Sequence, residues 1–207
     1  IGLFAKTALF PLHLWLPPAH AGAPAAASAV LSAVVVKGSF FLVVRLWFDV
    51  MPGMLGSAGA QLFGALGAAA IIFGSVVALQ QQRLKLLIAY STVAQIGYLF
   101  LIFPLALDAS AQLQGSGALT GGIVQAISHA TAKAAMFMAA GLIYAALGHD
   151  RIAELGGVAR ALPMTIFAFA LGGVSLIGLP PSGGFLAKWI LLEATVATGQ
   201  WWWALVI

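Results

Sequence analysis

The stretch 162–200 reads LPMTIFAFALGGVSLIGLPPSGGFLAKWILLEATVATGQ, apolar enough to cross a bilayer yet broken near its middle by GLPPSGG at 178–184. A continuous crossing takes ~20 residues, and this run is far longer. Pro180 and Pro181 leave earlier carbonyls without N–H partners, while Gly178, Gly183 and Gly184 let the chain unwind. Inside lipid, unwound backbone persists only where protein encloses it or where it meets a water-filled cavity. Lys188 follows the break, with Phe185, Trp189 and Ile190 around it. A broken helix with a central lysine reads as part of an ion path.

Composition sets the same frame for the rest of the chain. It is 62% hydrophobic and 7% charged, with mean hydropathy +1.07, too few charges to clothe a soluble domain of this size. The expectation is a polytopic protein embedded in a lipid bilayer. The ends, Ile1 and the apolar run WWWALVI to Ile207, read as cut, so the 207 residues are expected to be one transmembrane domain within a larger protein. Cysteine is absent, which excludes disulfides, thiolate metal sites and thiol chemistry. A net charge of +4 is too small to point to nucleic acid.

About seven crossings are expected, several of them partial. Residues 1–20 read as the end of a span, with Pro11 as a second helix breaker and Pro17-Pro18 as a stop. Spans follow at about 25–48, 61–79, 86–107 and 119–147, then the broken segment, then the start of another from Trp201. Arg83, Lys85, Arg151 and Arg160 lie in two loops that alternation puts on one side. The loops at 49–60 and 108–117 hold no lysine or arginine and belong on the other. The positive-inside rule turns the basic pair to the cytoplasm. Arg45 runs against this and is expected to snorkel to the interface.

Lys6, Lys37, Lys133, Lys188 and His129 remain inside apolar sequence. A charged lysine at the bilayer centre costs ~2.5–3.5 kcal/mol on insertion scales, so four are expensive if they serve packing alone. Burial disfavours the charged amine and nearby acid or water restores it, the balance a proton relay needs. His129 and Lys133 are four apart and share one helix face, with hydroxyls of Ser128 and Thr131 beside them. On spacing alone Lys6 fits a relay and an anchor equally well. Lys85 is expected to be a snorkelling anchor, and His13 and His20, near Trp15, to be interfacial. Trp47, Trp189 and Trp201 to Trp203 are expected in the interface belt. Phosphate-binding glycine loops are absent, and the dispersed glycines suit close helix packing.

Taken together, KTALFPLHLWLPPAH at 6–20, Ala23-Pro24, Ser28-Ala29, Lys37, KLLIAYST at 85–92, QIGY at 95–98, SHATAK at 128–133 and GLPPSGGFLAK at 178–188 resemble the antiporter-like, proton-conducting membrane subunits. These occur in respiratory complex I, Mrp-type sodium/proton antiporters and membrane-bound hydrogenases. The resemblance implies an all-α transmembrane bundle, the second half of a subunit built from inverted repeats, each with one discontinuous helix. It implies that Lys6 is the lysine of the first broken helix, Lys37 the central lysine after it, and His129 and Lys133 the connecting relay. Lys188 then stands at the ionisable position of the second broken helix, where some members carry glutamate. Two acids usual in the family, at Pro18 and near Arg83, are missing, and the glutamate that pairs with the Lys6 position falls ahead of Ile1.

The function expected is proton translocation within a hetero-oligomeric membrane complex, with Na+ an open second cargo and a bacterial inner membrane the expected location. No cofactor, catalytic or metal-binding residue is expected, so the driving energy comes from a redox partner or an opposing ion gradient. Two rival readings are a free-standing carrier of an organic solute and a non-conducting structural subunit.

Overall fold

A computed structural model describes residues 1–51, 56–107 and 117–207. The described residues are helices joined by short turns, with one isolated backbone bridge, Arg83 to Arg151. In chain order the main helices are α1 (Gly2–Thr7), α2 (Leu16–Gly22), α3 (Ala25–Val50), α4 (Gly56–Leu79), α5 (Leu84–Leu105), α6 (Ala118–Leu147), α7 (Pro163–Ile177) and α8 (Gly183–Ala197), with short helical turns at Ile152–Glu154, Val158–Ala161 and Trp201–Val206. Four of them, α3 to α6, are long and apolar enough to cross a membrane. The other four form two interrupted pairs, α1 with α2 and α7 with α8. The expected loops at 49–60 and 108–117 fall in part outside the described residues, at 52–55 and 108–116.

Each break ends in its own way. Helix α1 stops at Ala8, which takes a left-handed backbone (φ 59°). The Trp15 indole N–H then donates to the carbonyl of Ala5 at 2.6 Å, a second bond to an oxygen that already accepts from Ala8 N–H at 2.9 Å. Pro17 and Pro18, expected to stop a helix, sit in the first turn of α2. Proline is tolerated there, where its missing N–H has no intrahelical partner. Helix α7 ends at Gly178 (φ 88°), and α8 starts at Ser182, whose hydroxyl accepts from Phe185 N–H at 3.2 Å. The unwound stretch is therefore 178–182. Gly183 and Gly184, expected within the break, are the first turn of α8. Gly184 is needed for closeness instead, because a Cβ there would run into the Ser175 carbonyl of α7.

Helix α6 is the hub, packed against α3, α5, α7 and α8. Helices α4 and α5 make the most extensive pairing, through small residues as expected. Gly67 meets Gly97, and Gly74 meets the backbone of Ala94, leaving no room for a side chain at any of the three glycines. An aromatic cluster of Phe63, Phe100, Phe103 and Trp47 closes one end of the core. Trp47 and Trp203 are buried in this chain, unlike the belt position expected for them. Trp189, Trp201 and Trp202 are exposed.

The two basic loops meet at one end of the bundle. Leu84 N–H donates to the Asp150 carbonyl at 2.8 Å, and Ile152 N–H to the Gln82 carbonyl at 2.9 Å. The Asp150 carboxylate is buried and accepts from Arg83 Nε at 2.9 Å and from the Lys85 backbone N–H at 3.3 Å. Arg45, expected to snorkel to the interface, is exposed and paired with Asp49 one turn on at 2.7 Å.

Candidate functional site

Helix α6 is mostly apolar, and the face it turns inward carries Gln125, His129 and Lys133 at four-residue steps, all buried. The Lys133 amine is fully enclosed. It donates to the Ile88 carbonyl of α5 at 2.8 Å and to the Ser91 hydroxyl at 2.5 Å. Thr92 donates to the same Ile88 carbonyl at 3.0 Å and exchanges a hydrogen bond with Ser32 of α3 at 3.2 Å. Lys37, one and a half turns beyond, returns its amine to the Ser32 carbonyl. Residues 31–35 beneath it are wound as a π-helix, a local widening that recurs at functional sites. Lys37 and Lys133 thus flank the Ser32–Thr92 hydroxyl pair across three helices, Lys37 on the Ser32 carbonyl and Lys133 on the Ile88 carbonyl that Thr92 also bonds.

From Lys133 the polar face continues towards the second break. Both ring nitrogens of His129 are buried and without a hydrogen-bond partner. Beside it, Ser128 and Ser175 share a hydrogen bond of 2.8 Å between α6 and α7. Gln125 donates to the Gln95 side-chain oxygen at 2.7 Å, and the Gln95 amide donates to the Leu176 carbonyl at 3.1 Å. Lys188 donates to the next carbonyl, Ile177, at 3.1 Å and lies 4.7 Å from the ring centre of Tyr98. Two carbonyls orphaned by the break are therefore taken by an amide and an amine. A cation at a helix C-terminus also meets the negative end of the helix dipole. Gly178 makes room for it, since a Cβ there would lie 2.9 Å from the Lys188 chain.

The expected relay residues do not all converge. Lys37 and Lys133 share the Ser32–Thr92 neighbourhood, His129 stands one turn from Lys133 without a hydrogen-bond partner, and Lys188 sits at the second break beside the Gln125–Gln95–Leu176 bonds. Lys6 stands apart, exposed in the last turn of α1, although α1 itself packs on α3. Thr131 faces outward and bonds its own helix, at the carbonyls of Ile127 and Ser128, so it adds nothing to the axis. Lys85 is no snorkelling anchor. It is 9% exposed, and its amine clamps the Ala23 carbonyl between α2 and α3 at 2.6 Å. His13 and His20 are likewise buried rather than interfacial.

Sequence reasoning passed over Ser32, Gln125 and Ser175 altogether. Gln125 had a findable signal, because it stands four residues before His129 on the same face.

The whole chain, residues 1–207, matches the family described as NADH:quinone oxidoreductase/Mrp antiporter, TM. It is 38% identical over 201 residues to NADH-quinone oxidoreductase subunit N of Desulforudis audaxviator, covering 97% of this chain and 38% of that one. It is 38% identical over 204 residues to a Na(+)/H(+) antiporter subunit of Alkalihalophilus pseudofirmus, covering 94% of this chain and 24% of the relative. A chain of the Mrp complex from Dietzia sp. superposes with a TM-score of 0.89 at 30% identity, over 99% of this chain and 36% of that one. The chain spans well under half the length of these relatives.

Proposed function

This chain belongs to the NADH:quinone oxidoreductase/Mrp antiporter membrane family, and from that premise we propose that it carries protons across a membrane as part of a larger assembly. The observation that supports this most is that Lys37 and Lys133 flank the Ser32–Thr92 hydroxyl pair, Lys37 bonded to the Ser32 carbonyl and Lys133 to the Ile88 carbonyl that Thr92 shares. Amines and hydroxyls exchange protons, whereas protonated amines repel Na+, so the proton is the ion this axis suits.

Protons pass from the cytoplasmic side to Lys37, along the α3–α5 hydroxyls to Lys133, past His129, and leave by Lys188 at the second break. Each amine accepts a proton when neutral and releases it when its neighbour is neutral. Two like charges 10 Å apart interact by about 1.7 kcal/mol at an effective dielectric constant of 20. A proton on one amine therefore disfavours a second on the next by more than tenfold, which drives charge onward. Lys6 acts from outside the axis. Switching its bond to an acidic partner beyond this chain changes the field at Lys37 through α1 and α3. Moving one charge against 100 mV costs ~2.3 kcal/mol, which a redox or ion-gradient partner supplies. The neighbours in this reading are other membrane subunits of a hetero-oligomeric complex, in a bacterial inner membrane.

The test is Lys37→Ala in the full-length protein within its complex, reconstituted into vesicles. Proton flux is expected to vanish while assembly survives. Flux equal to the parent's would refute the relay.

A further inference from the structure

The buried face of α6 climbs in four-residue steps, and one rung interrupts it. Gln125, His129 and Lys133 are polar, but the next rung is Phe137, and above that Gly141 lines an open pocket of about 350 Å³. That pocket lies at the basic end of the bundle, walled by Ala21, Gly22, Ala23, Pro24, Lys85 and Tyr144. Between pocket and Lys133, α6 itself offers only the Phe137 ring.

His20 fills that interval. Its ring stacks on Phe137 with centroids 4.5 Å apart and planes at 19°. It is 0% exposed, and both ring nitrogens lack a hydrogen-bond partner. Its chain neighbour Ala21 is already part of the pocket wall. Lys85 of α5, Lys133 of α6 and Lys37 of α3 all act on it electrostatically. An imidazole needed only for its shape is costly here, because two polar atoms are buried unpaired where a phenyl ring stacks equally well.

We propose that His20 is the inlet carrier, passing protons from the pocket beside Lys85 to the Lys133–Lys37 pair. This rests on the proton-translocation reading. A proton arriving from the pocket adds to the free ring nitrogen and makes an imidazolium. The opposite nitrogen then releases its own proton to a neutral amine, leaving neutral imidazole and an ammonium. Rotation about χ2 returns the free nitrogen to the pocket side, and no co-reactant is consumed.

The test uses the full-length protein in its complex, in vesicles driven by an imposed potential, with Lys37→Ala measured in parallel. His20→Phe keeps the stack on Phe137 and removes both nitrogens. It is expected to lower proton flux by about a hundredfold, the scale of losing one acid–base group. Should that variant not assemble, His20→Gln is read by the same criterion. In His20→Ala, added imidazole is expected to restore part of the flux, which a merely structural histidine would not permit. Parent-level flux in His20→Phe, or no response of His20→Ala to imidazole, overturns the inlet role. Loss in Lys37→Ala alongside parent-level flux in His20→Phe removes only the His20 assignment, whereas parent-level flux in Lys37→Ala removes the relay itself.

Discussion

Thr92 carries a single hydroxyl between two amines that never touch. It bonds Ser32 on α3 and shares the Ile88 carbonyl with Lys133. Thr92→Val keeps the shape and deletes the link, at a stability cost of about 1 kcal/mol. Proton flux is expected to fall several-fold in vesicles while the complex forms normally, and an unchanged flux would show that protons bypass α5. At this scale the sequence was legible where charge was concerned. A lysine or histidine inside an apolar run announces itself through its transfer cost. Ser32, Gln125 and Ser175 do not, since uncharged polar residues are common in membrane helices as packing and hydrogen-bonding groups. His20 was misjudged because Trp15 and two prolines beside it mimic an interface. Lys85 was misjudged because a lysine at a span's end usually snorkels, and only the fold brings the Ala23 carbonyl to it.

The second broken helix is the element on which proton release turns. Gly178 combines a left-handed backbone with a close approach to Lys188. Gly178→Ala adds about 1–2 kcal/mol of backbone strain and pushes the lysine chain off the Ile177 carbonyl. A lower unfolding temperature together with reduced flux is expected. A variant stable and active as the parent would show that the Lys188 seat is unimportant. Both breaks were legible from proline and glycine, but their limits were not. Glycines at 183 and 184 look the same in sequence whether they unwind a helix or let two helices touch, and the closeness of Gly183 to Ser128 and of Gly184 to Ser175 decides for the second. Pro17 and Pro18 show the converse, because a proline pair ends one helix or begins another depending on where the preceding break falls.

Over the whole molecule, the two basic loops are tied together by one buried acid. Asp150 joins Arg83 and the Lys85 backbone, and the Lys85 amine reaches on to the α2–α3 link. Asp150→Ala leaves these donors without their acceptor and is expected to cost about 1–3 kcal/mol, seen as a lower unfolding temperature of the detergent-solubilised complex. Arg45→Ala, which breaks an exposed one-turn pair, is the matched control and is expected to shift it hardly at all. The alternation of basic and non-basic loops foretold that the 80–85 and 148–161 segments share an end. It did not foretell that they bond, because backbone pairing between loops leaves no hydropathy signal.

The account stands or falls on whether the amines of Lys37, Lys133 and Lys188 belong to one wet, continuous path. A high-resolution cryo-EM map of the intact complex in lipid tests this most directly. The expected map shows ordered water running from Lys133 past His129 to Lys188, with the Ser32–Thr92 link to Lys37 in place. Dry apolar packing between Lys133 and Lys188, or amines turned towards lipid, would contradict it.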